Sequence, residues 1–211
     1  MNKINNSQLK QLVEAAIFVA DEPLSKERMQ GTILSDFNVS TQQLNKILHE
    51  LTEDYAARGI QLHQLASGYS FRSNDALSPF LSRLWQETAP RFSRALLETL
   101  ALIAYRQPIT RGEIEDVRGV AVSSNIIRTL TEREWVRVVG HKEVPGRPAL
   151  YATTNRFLDY FGLKSLSDLP TEEAFDALLA EATEEQTPAA PANDDPHAQQ
   201  DTQSTNKEQL H

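Results

Sequence analysis

The sequence contains one pattern twice, and this internal repeat restricts the chain to folds built from two similar units. Residues 12–20 form an apolar run at helical spacing that is followed by Pro23-Leu24-Ser25. Roughly 84 positions later, residues 96–104 form a second such run, followed by Pro108-Ile109-Thr110. The segments that follow each run correspond in kind, so we expect two copies of one small domain.

The first copy predicts three helices and a hairpin. The residues Leu9, Leu12, Val13, Ala16, Ile17 and Ala20 give the first helix one apolar face. Ser25 is placed to cap a short second helix that ends near Leu34. Ser40 and Gln43 have the spacing of a capping box, which opens a third helix. Alternating apolar residues on either side of Ser67-Gly68 then predict two strands joined by a tight turn.

The second copy predicts the same order of elements. Its first helix carries Leu96, Leu97, Leu100, Ile103 and Ala104. Thr110 and Glu113 form a capping box for the second helix, which ends near Gly119, and Ser123 or Ser124 caps the third. The hairpin has Val136 and Val138 on one strand, a loop over 142–147, and Leu150 and Tyr151 on the return strand.

Three helices followed by a β-hairpin define the winged-helix form of the helix-turn-helix. The predicted fold class is therefore mostly α with small β-hairpins (α+β), as two tandem winged-helix domains. We predict an N-terminal winged-helix domain at residues 1–77, a connector at 78–92, and a C-terminal winged-helix domain with short C-terminal helices at 93–180. Residues 181–211 are rich in Pro, Ala, Gln and acidic residues and carry most of the net charge of −8. We expect this acidic tail to be disordered, because it has too few large apolar residues to offset the entropy of ordering.

The composition predicts a soluble protein and is compatible with a reducing compartment. Cysteine is absent, which excludes disulfides and thiolate metal sites. No apolar run approaches the roughly 18 residues of a membrane span, and the short apolar stretch near the N-terminus ends in Asp21-Glu22, unlike a secretory signal. We therefore expect a cytoplasmic protein.

The sequence lacks the motifs of most enzymes. The eight glycines form neither a phosphate-binding loop nor a dinucleotide fingerprint, and the five histidines show no metal-ligand spacing. No serine lies in a nucleophile elbow. Carboxylates cluster at Glu113, Glu115 and Asp116, but such groups near helix ends are usually solvated. We expect no catalysis, no metal, no cofactor and no small-molecule substrate.

A winged helix raises DNA binding as the first alternative, and DNA binding needs a basic face. The C-terminal half of the first copy's third helix is acidic, with Glu50, Glu53 and Asp54. The second copy is richer in arginine, but Glu132 and Glu134 alternate with its basic residues. Charge therefore favours a protein partner, and a double winged-helix transcription regulator remains the alternative.

The chain resembles a known family, segregation and condensation protein B, over roughly residues 9–175. The segments that carry the resemblance are 97–111, Ile114-Glu115, Arg118-Gly119-Val120, Gly146-Arg147-Pro148, Leu150-Tyr151, Thr153-Thr154, Phe157-Leu158, Phe161-Gly162-Leu163 and Leu169-Pro170. The resemblance implies two winged-helix domains and a homodimer formed mainly through the N-terminal domains. It further implies binding of a kleisin, segregation and condensation protein A, and through it of the ATPase of the structural-maintenance-of-chromosomes (SMC) complex. The role it implies is chromosome condensation and segregation at the nucleoid, with DNA contacted weakly or indirectly.

Seven residues are candidate contacts. Arg147 stands between Gly146 and Pro148, which account for the turn and leave the arginine free for a partner. The candidate partner-binding residues are Arg106, Arg111, Arg147 and Tyr151. Arg106 and Arg111 are equally well explained by internal pairing with Glu113 or Glu115. Residues 13–18 are apolar on more than one face, so Val13, Ile17 and Phe18 are candidate dimer contacts.

Overall fold

The computed structural model describes residues 2–84, 92–171 and 173–175. The helices are α1 (Asn6–Val19), α2 (Lys26–Gly31), α3 (Thr41–Tyr55), α4 (Ser78–Leu81), α5 (Arg94–Arg106), α6 (Arg111–Arg118), α7 (Ser124–Glu132) and α8 (Asn155–Tyr160). The strands are β1 (Ile60–Gln64), β2 (Tyr69–Ser73), β3 (Ile109–Thr110), β4 (Val136–His141) and β5 (Ala149–Thr153). Single 3-10 turns lie at Asp75–Leu77, Ser82–Leu84 and Leu166–Asp168.

The first unit is built from α1, α2, α3 and the β1–β2 hairpin. The side chains of Ser25 and Ser40 cap α2 and α3 by accepting bonds from backbone amides three residues later. The predicted capping box at Ser40 is only half formed, because the Gln43 side chain donates to Asn6 Oδ1 at 2.8 Å instead. Helix α2 ends at Gly31, three residues before the predicted end near Leu34.

The first hairpin folds back against the start of α2. Leu24 and Tyr69 exchange two backbone hydrogen bonds of 2.9 and 3.0 Å across an antiparallel bridge. Gly68 makes this approach possible: its φ is +150°, and a Cβ there would lie 2.4 Å from the carbonyl carbon of Leu24.

The second unit repeats this plan around α5, α6, α7 and the β4–β5 hairpin. The capping box of Thr110 and Glu113 is complete, Gly119 ends α6 in the left-handed conformation, and Ser123 is the N-cap of α7. The sequence missed strand β3, which pairs with β5 and gives a sheet of order β3-β5-β4. Its pair of Ile109 and Tyr151 corresponds to the bridge between Leu24 and Tyr69 in the first unit.

Each unit has its own apolar core. The first core is centred on Leu9, Met29, Leu44, Ile47, Leu48 and Leu51. The second is centred on Ile103, Ile114, Val122, Leu130, Trp135 and Val136. The fold class, two tandem winged-helix units, is confirmed. The domain boundaries stay predictions; residues 85–91 of the connector and the acidic tail lie outside the described residues.

The two units touch where the first hairpin meets the end of α8. The Ala66 amide donates to the Leu163 carbonyl at 3.1 Å, and the Ser67 amide donates to Asp159 Oδ1 at 3.0 Å. The Arg72 guanidinium donates to the backbone carbonyl of Asp159.

Candidate protein-binding surfaces

Helix α1 divides the three candidate dimer residues between the core and the surface. Val13 and Ile17 are 0% and 3% exposed and belong to the core of the first unit, so they have no surface to offer a second chain. Their assignment as dimer contacts is corrected, because positions 13 and 17 lie one turn apart on the face that packs within the unit. Phe18 is 68% exposed and its neighbour Val19 is 75% exposed. Phe18 remains a candidate contact.

A small cavity adjoins Phe18. It has a volume of about 270 Å³ and is lined by Gln11, Glu14, Ala15, Phe18, Tyr55 and Phe71. The rings of Phe18 and Phe71 meet edge to face with centroids 6.5 Å apart. The Tyr55 hydroxyl donates to the Glu14 carboxylate, and this bond raises the pKa of Tyr55. Exposed apolar side chains beside a concave, partly polar wall are typical of a protein-binding patch.

The second hairpin places Arg147 and Tyr151 in different surroundings. Arg147 lies in the loop with φ of +41°, and its side chain is 71% exposed and pairs with Glu143 at 3.3 Å. Tyr151 is half-buried on β5 and packs against the second core. Arg147 is thus exposed to solvent, whereas part of the Tyr151 side chain is already buried against the second core.

The two remaining arginines lie at the ends of helices. Arg111 opens α6 and bonds to Glu115 at 2.9 Å and to the Ser124 hydroxyl at 3.2 Å, so the structure shows the internal pairing that the sequence left open. Glu115 also accepts a bond from the Val122 amide, and this bond, followed by that from Arg111, lowers the pKa of Glu115. Arg106 is exposed in the last turn of α5, where a cation complements the helix dipole.

Several cations around α6, α7 and the second hairpin are neutralised by nearby carboxylates. Besides Arg111 and Arg147, Lys142 pairs with Glu113 at 2.6 Å and Arg128 pairs with Glu132 at 3.6 Å. The Lys142 ammonium, followed by bonds from Thr110, lowers the pKa of Glu113 to about 2. Phosphate binding here would have to compete with these carboxylates, which makes this face a poor match for DNA.

The sequence did not single out an apolar groove on the second unit. It has a volume of about 250 Å³, and its walls come from α5, α8 and the segment after α8. Leu97, Ala101 and Tyr105 line it from α5, one turn apart from each other. The apolar residues on a second face of α5 were the sequence signal that could have indicated this groove. Spacing alone, however, does not show whether such a face is buried by other elements or left open.

Within residues 2–84, 92–171 and 173–175, no three His, Cys, Asp or Glu side chains are grouped so that they could hold a metal ion. A search of the same residues for a helix long and apolar enough to cross a membrane found none.

Comparison with known proteins gives consistent matches. The family model described as Segregation and condensation complex subunit ScpB matches residues 11–172. A segregation and condensation protein B homolog of Coxiella burnetii is 56% identical over 162 residues, covering 77% of this chain and 78% of that protein. Segregation and condensation protein B of Syntrophotalea carbinolica is 41% identical over 177 residues, covering 83% of this chain and 87% of that protein.

Among solved structures, a crystal structure of a dimer of the ScpB N-terminal domain complexed with ScpA peptide covers 40% of this chain and 92% of the matched chain. Its sequence identity is 26% and its TM-score is 0.30. The family model spans most of the chain, and the two relatives are 56% and 41% identical to it over most of their own length. This chain therefore belongs to the family of Segregation and condensation complex subunit ScpB.

Proposed function

We propose that this chain is a non-enzymatic accessory subunit of a bacterial SMC condensin, which acts as a homodimer and binds the kleisin ScpA. Its work is chromosome condensation and segregation, carried out in the cytoplasm at the nucleoid. The observation that carries the proposal is family membership over residues 11–172, including a relative that is 56% identical. In this role the chain organises other proteins and leaves ATP hydrolysis to its partner.

The surfaces of the two units support a protein partner over DNA. Cations on the helix face and hairpin of the second unit are paired with carboxylates. On α3 of the first unit, Glu50 and Asp54 pair with Lys10, and Glu53 pairs with His49. Exposed apolar side chains at the end of α1 favour contact with protein, because their burial stabilises a complex by about 1.5–3 kcal/mol for a side chain such as Phe18.

The homodimer is tested at Phe18. We expect the wild-type protein to have twice the chain mass of 23.7 kDa in light scattering at micromolar concentration. Phe18→Glu places a charge in the patch and is expected to shift the protein toward the chain mass. The matched control is Val117→Glu, an exposed apolar residue of the second unit. A wild-type monomer, or a Phe18→Glu protein that remains a dimer, would refute Phe18 as the contact.

Kleisin binding is tested at Arg147. We expect Arg147→Ala to weaken the affinity for purified ScpA by more than about 0.5 kcal/mol, the usual scatter of surface substitutions. Arg128→Ala is the matched control, because Arg128 is 70% exposed and forms the same kind of ion pair four residues along a helix. Equal affinities of the two variants would remove Arg147 from the binding surface but leave the family role untouched.

The role as a whole is tested by recovery of complexes from cell lysate on the tagged full chain, with a nuclease-treated sample in parallel. Nuclease-resistant recovery of the kleisin and its large ATPase is the expected result. Recovery of DNA without these proteins, lost on nuclease treatment or at moderate salt, would instead identify a double winged-helix transcription regulator.

A further inference from the structure

The turn of the first hairpin has two backbone donors that its own ladder does not use. Leu65 and Gly68 close the turn by exchanging hydrogen bonds, with the shorter at 2.6 Å, and Ala66 and Ser67 lie between them. In such a two-residue turn the central amides face away from the strands. Both amides find acceptors on the second unit, at the Leu163 carbonyl and at Asp159 Oδ1.

The end of α8 supplies the complementary acceptors. The Asp159 carbonyl accepts the Gly162 amide at 3.3 Å in the turn that ends α8, and it also accepts from the Arg72 guanidinium. Gly162, with φ of +77°, reverses the chain just after the helix. A Cβ at Gly162 would lie 3.4 Å from an Arg72 nitrogen, so the reversed segment passes close to the first hairpin. Asp159 thus accepts hydrogen bonds from the first unit with both its side-chain carboxylate and its backbone carbonyl.

Hydrogen bonds make up most of this contact. The methyl group of Ala66 in the first hairpin also packs against the second core. Beside it lies a charged cleft of about 390 Å³, which Asp21 and Glu22 of the first unit and Arg156 of the second help to line. Domains that meet through small, polar interfaces change their relative orientation unless other contacts hold them.

We propose that the contact of Ala66, Ser67 and Arg72 with Asp159 and Leu163 is a releasable latch that sets the orientation of the two winged-helix units. Closed, it holds both units as one body. Open, it frees the second unit to turn relative to the first. The proposal goes beyond the function proposed above and does not rest on it.

Amide hydrogen exchange measured by NMR on the full chain tests the side-chain part of the latch. In the wild type, the amides of Ala66 and Ser67 are expected to exchange far more slowly than those of an unstructured peptide. Asp159→Ala is expected to speed exchange at Ser67 roughly 3- to 10-fold, the range that corresponds to one lost hydrogen bond. Asp159→Asn keeps an oxygen in the same place and is expected to restore protection. The His63 amide, which faces Ser70 in a hydrogen-bonded pair of the strand ladder, serves as an internal control.

Spin-label distances test the orientation itself. The chain has no cysteine, so Gln42→Cys on α3 and Glu132→Cys on α7, both at exposed positions, can be labelled without background. Dilution with unlabelled chain restricts the reading to distances within one chain. We expect one narrow distribution in the otherwise wild-type protein and a broad one after Asp159→Ala with Arg72→Ala.

Three results would overturn the proposal: fast exchange at Ala66 and Ser67 in the wild type, a broad distance distribution in the wild type, or an equally narrow one in the double variant. Asp159 and Arg72 lie on different units, so the loss of either variant to misfolding leaves the other substitution available for the exchange test.

Discussion

Glu113 joins two separate stabilising contacts, and replacing it is expected to reveal both. Its carboxylate accepts a bond from the Thr110 amide at 2.8 Å and so caps α6. It also pairs with Lys142 of the second hairpin at 2.6 Å. Glu113→Ala removes both contacts, Glu113→Gln keeps an acceptor for the cap but loses the charge, and Lys142→Ala removes the ion pair alone.

The magnitude follows from exposure. The Glu113 and Lys142 side chains are 40% and 46% exposed, so solvent screens the pair and its contribution is about 0.2–1 kcal/mol. The cap adds about 1 kcal/mol. We therefore expect Glu113→Ala to lower the free energy of unfolding by about 1–2 kcal/mol at pH 7, and Glu113→Gln and Lys142→Ala by about 1 kcal/mol or less.

The effect of pH has a definite sign. The folded-state pKa of Glu113 is lowered from 4.5 to about 2, mainly by the bond from Lys142. The contribution of the carboxylate is therefore complete above pH 4.5 and is lost as the pH falls from 4.5 through 2. The difference between wild type and Glu113→Gln should shrink over the same interval.

Urea unfolding, followed by the fluorescence of tryptophan, measures these differences, since Trp135 is buried in the second core. A double-mutant cycle of Glu113→Ala with Lys142→Ala isolates the ion pair. The reasoning would be refuted if Glu113→Gln cost as much as Glu113→Ala, or if the Glu113→Gln penalty were the same at pH 2 and pH 7.

Two further pairs of substitutions follow from the packing, and thermal or urea unfolding measures both. Gly68→Ala would place a Cβ 2.4 Å from the Leu24 backbone and is expected to lower the free energy of unfolding by about 3 kcal/mol or more. Gly112 lies in an open helical position, so Gly112→Ala is expected to raise the free energy of unfolding by about 0.5–1 kcal/mol. Losses of similar size at both glycines would contradict this contrast. Arg118 is 9% exposed and bonds to Glu98 and Thr99, so Arg118→Ala should cost about 3 kcal/mol. Arg94→Ala removes the exposed partner of the same Glu98 and should cost less than about 1 kcal/mol; equal costs would show that burial of Arg118 is not decisive.

The sequence by itself determined the order of the main helices and the two hairpins, and where the capped helices begin. Ser25, Ser40 and Thr110 each cap the helix for which they were predicted, Ser123 is the one of two predicted candidates that caps α7, and Gly119 ends α6 as predicted. These signals are readable because a cap satisfies amides two or three residues away, so the whole interaction lies within one short segment. The hairpin turn at Ser67-Gly68 is a local pattern of the same kind, and the repeat is recognised because such local patterns occur twice.

Only the tertiary structure decided which surfaces face outward and which strands and units meet. The sequence treated Val13, Ile17 and Phe18 alike, but packing against α3 and the first hairpin buries two of them and leaves Phe18 in solvent. Strand β3 exists because β5, about forty residues later, supplies its partner, and the bond from Ser67 to Asp159 joins positions 92 apart. Such contacts depend on how whole elements pack, and no local spacing encodes the distance between groups so far apart in the chain.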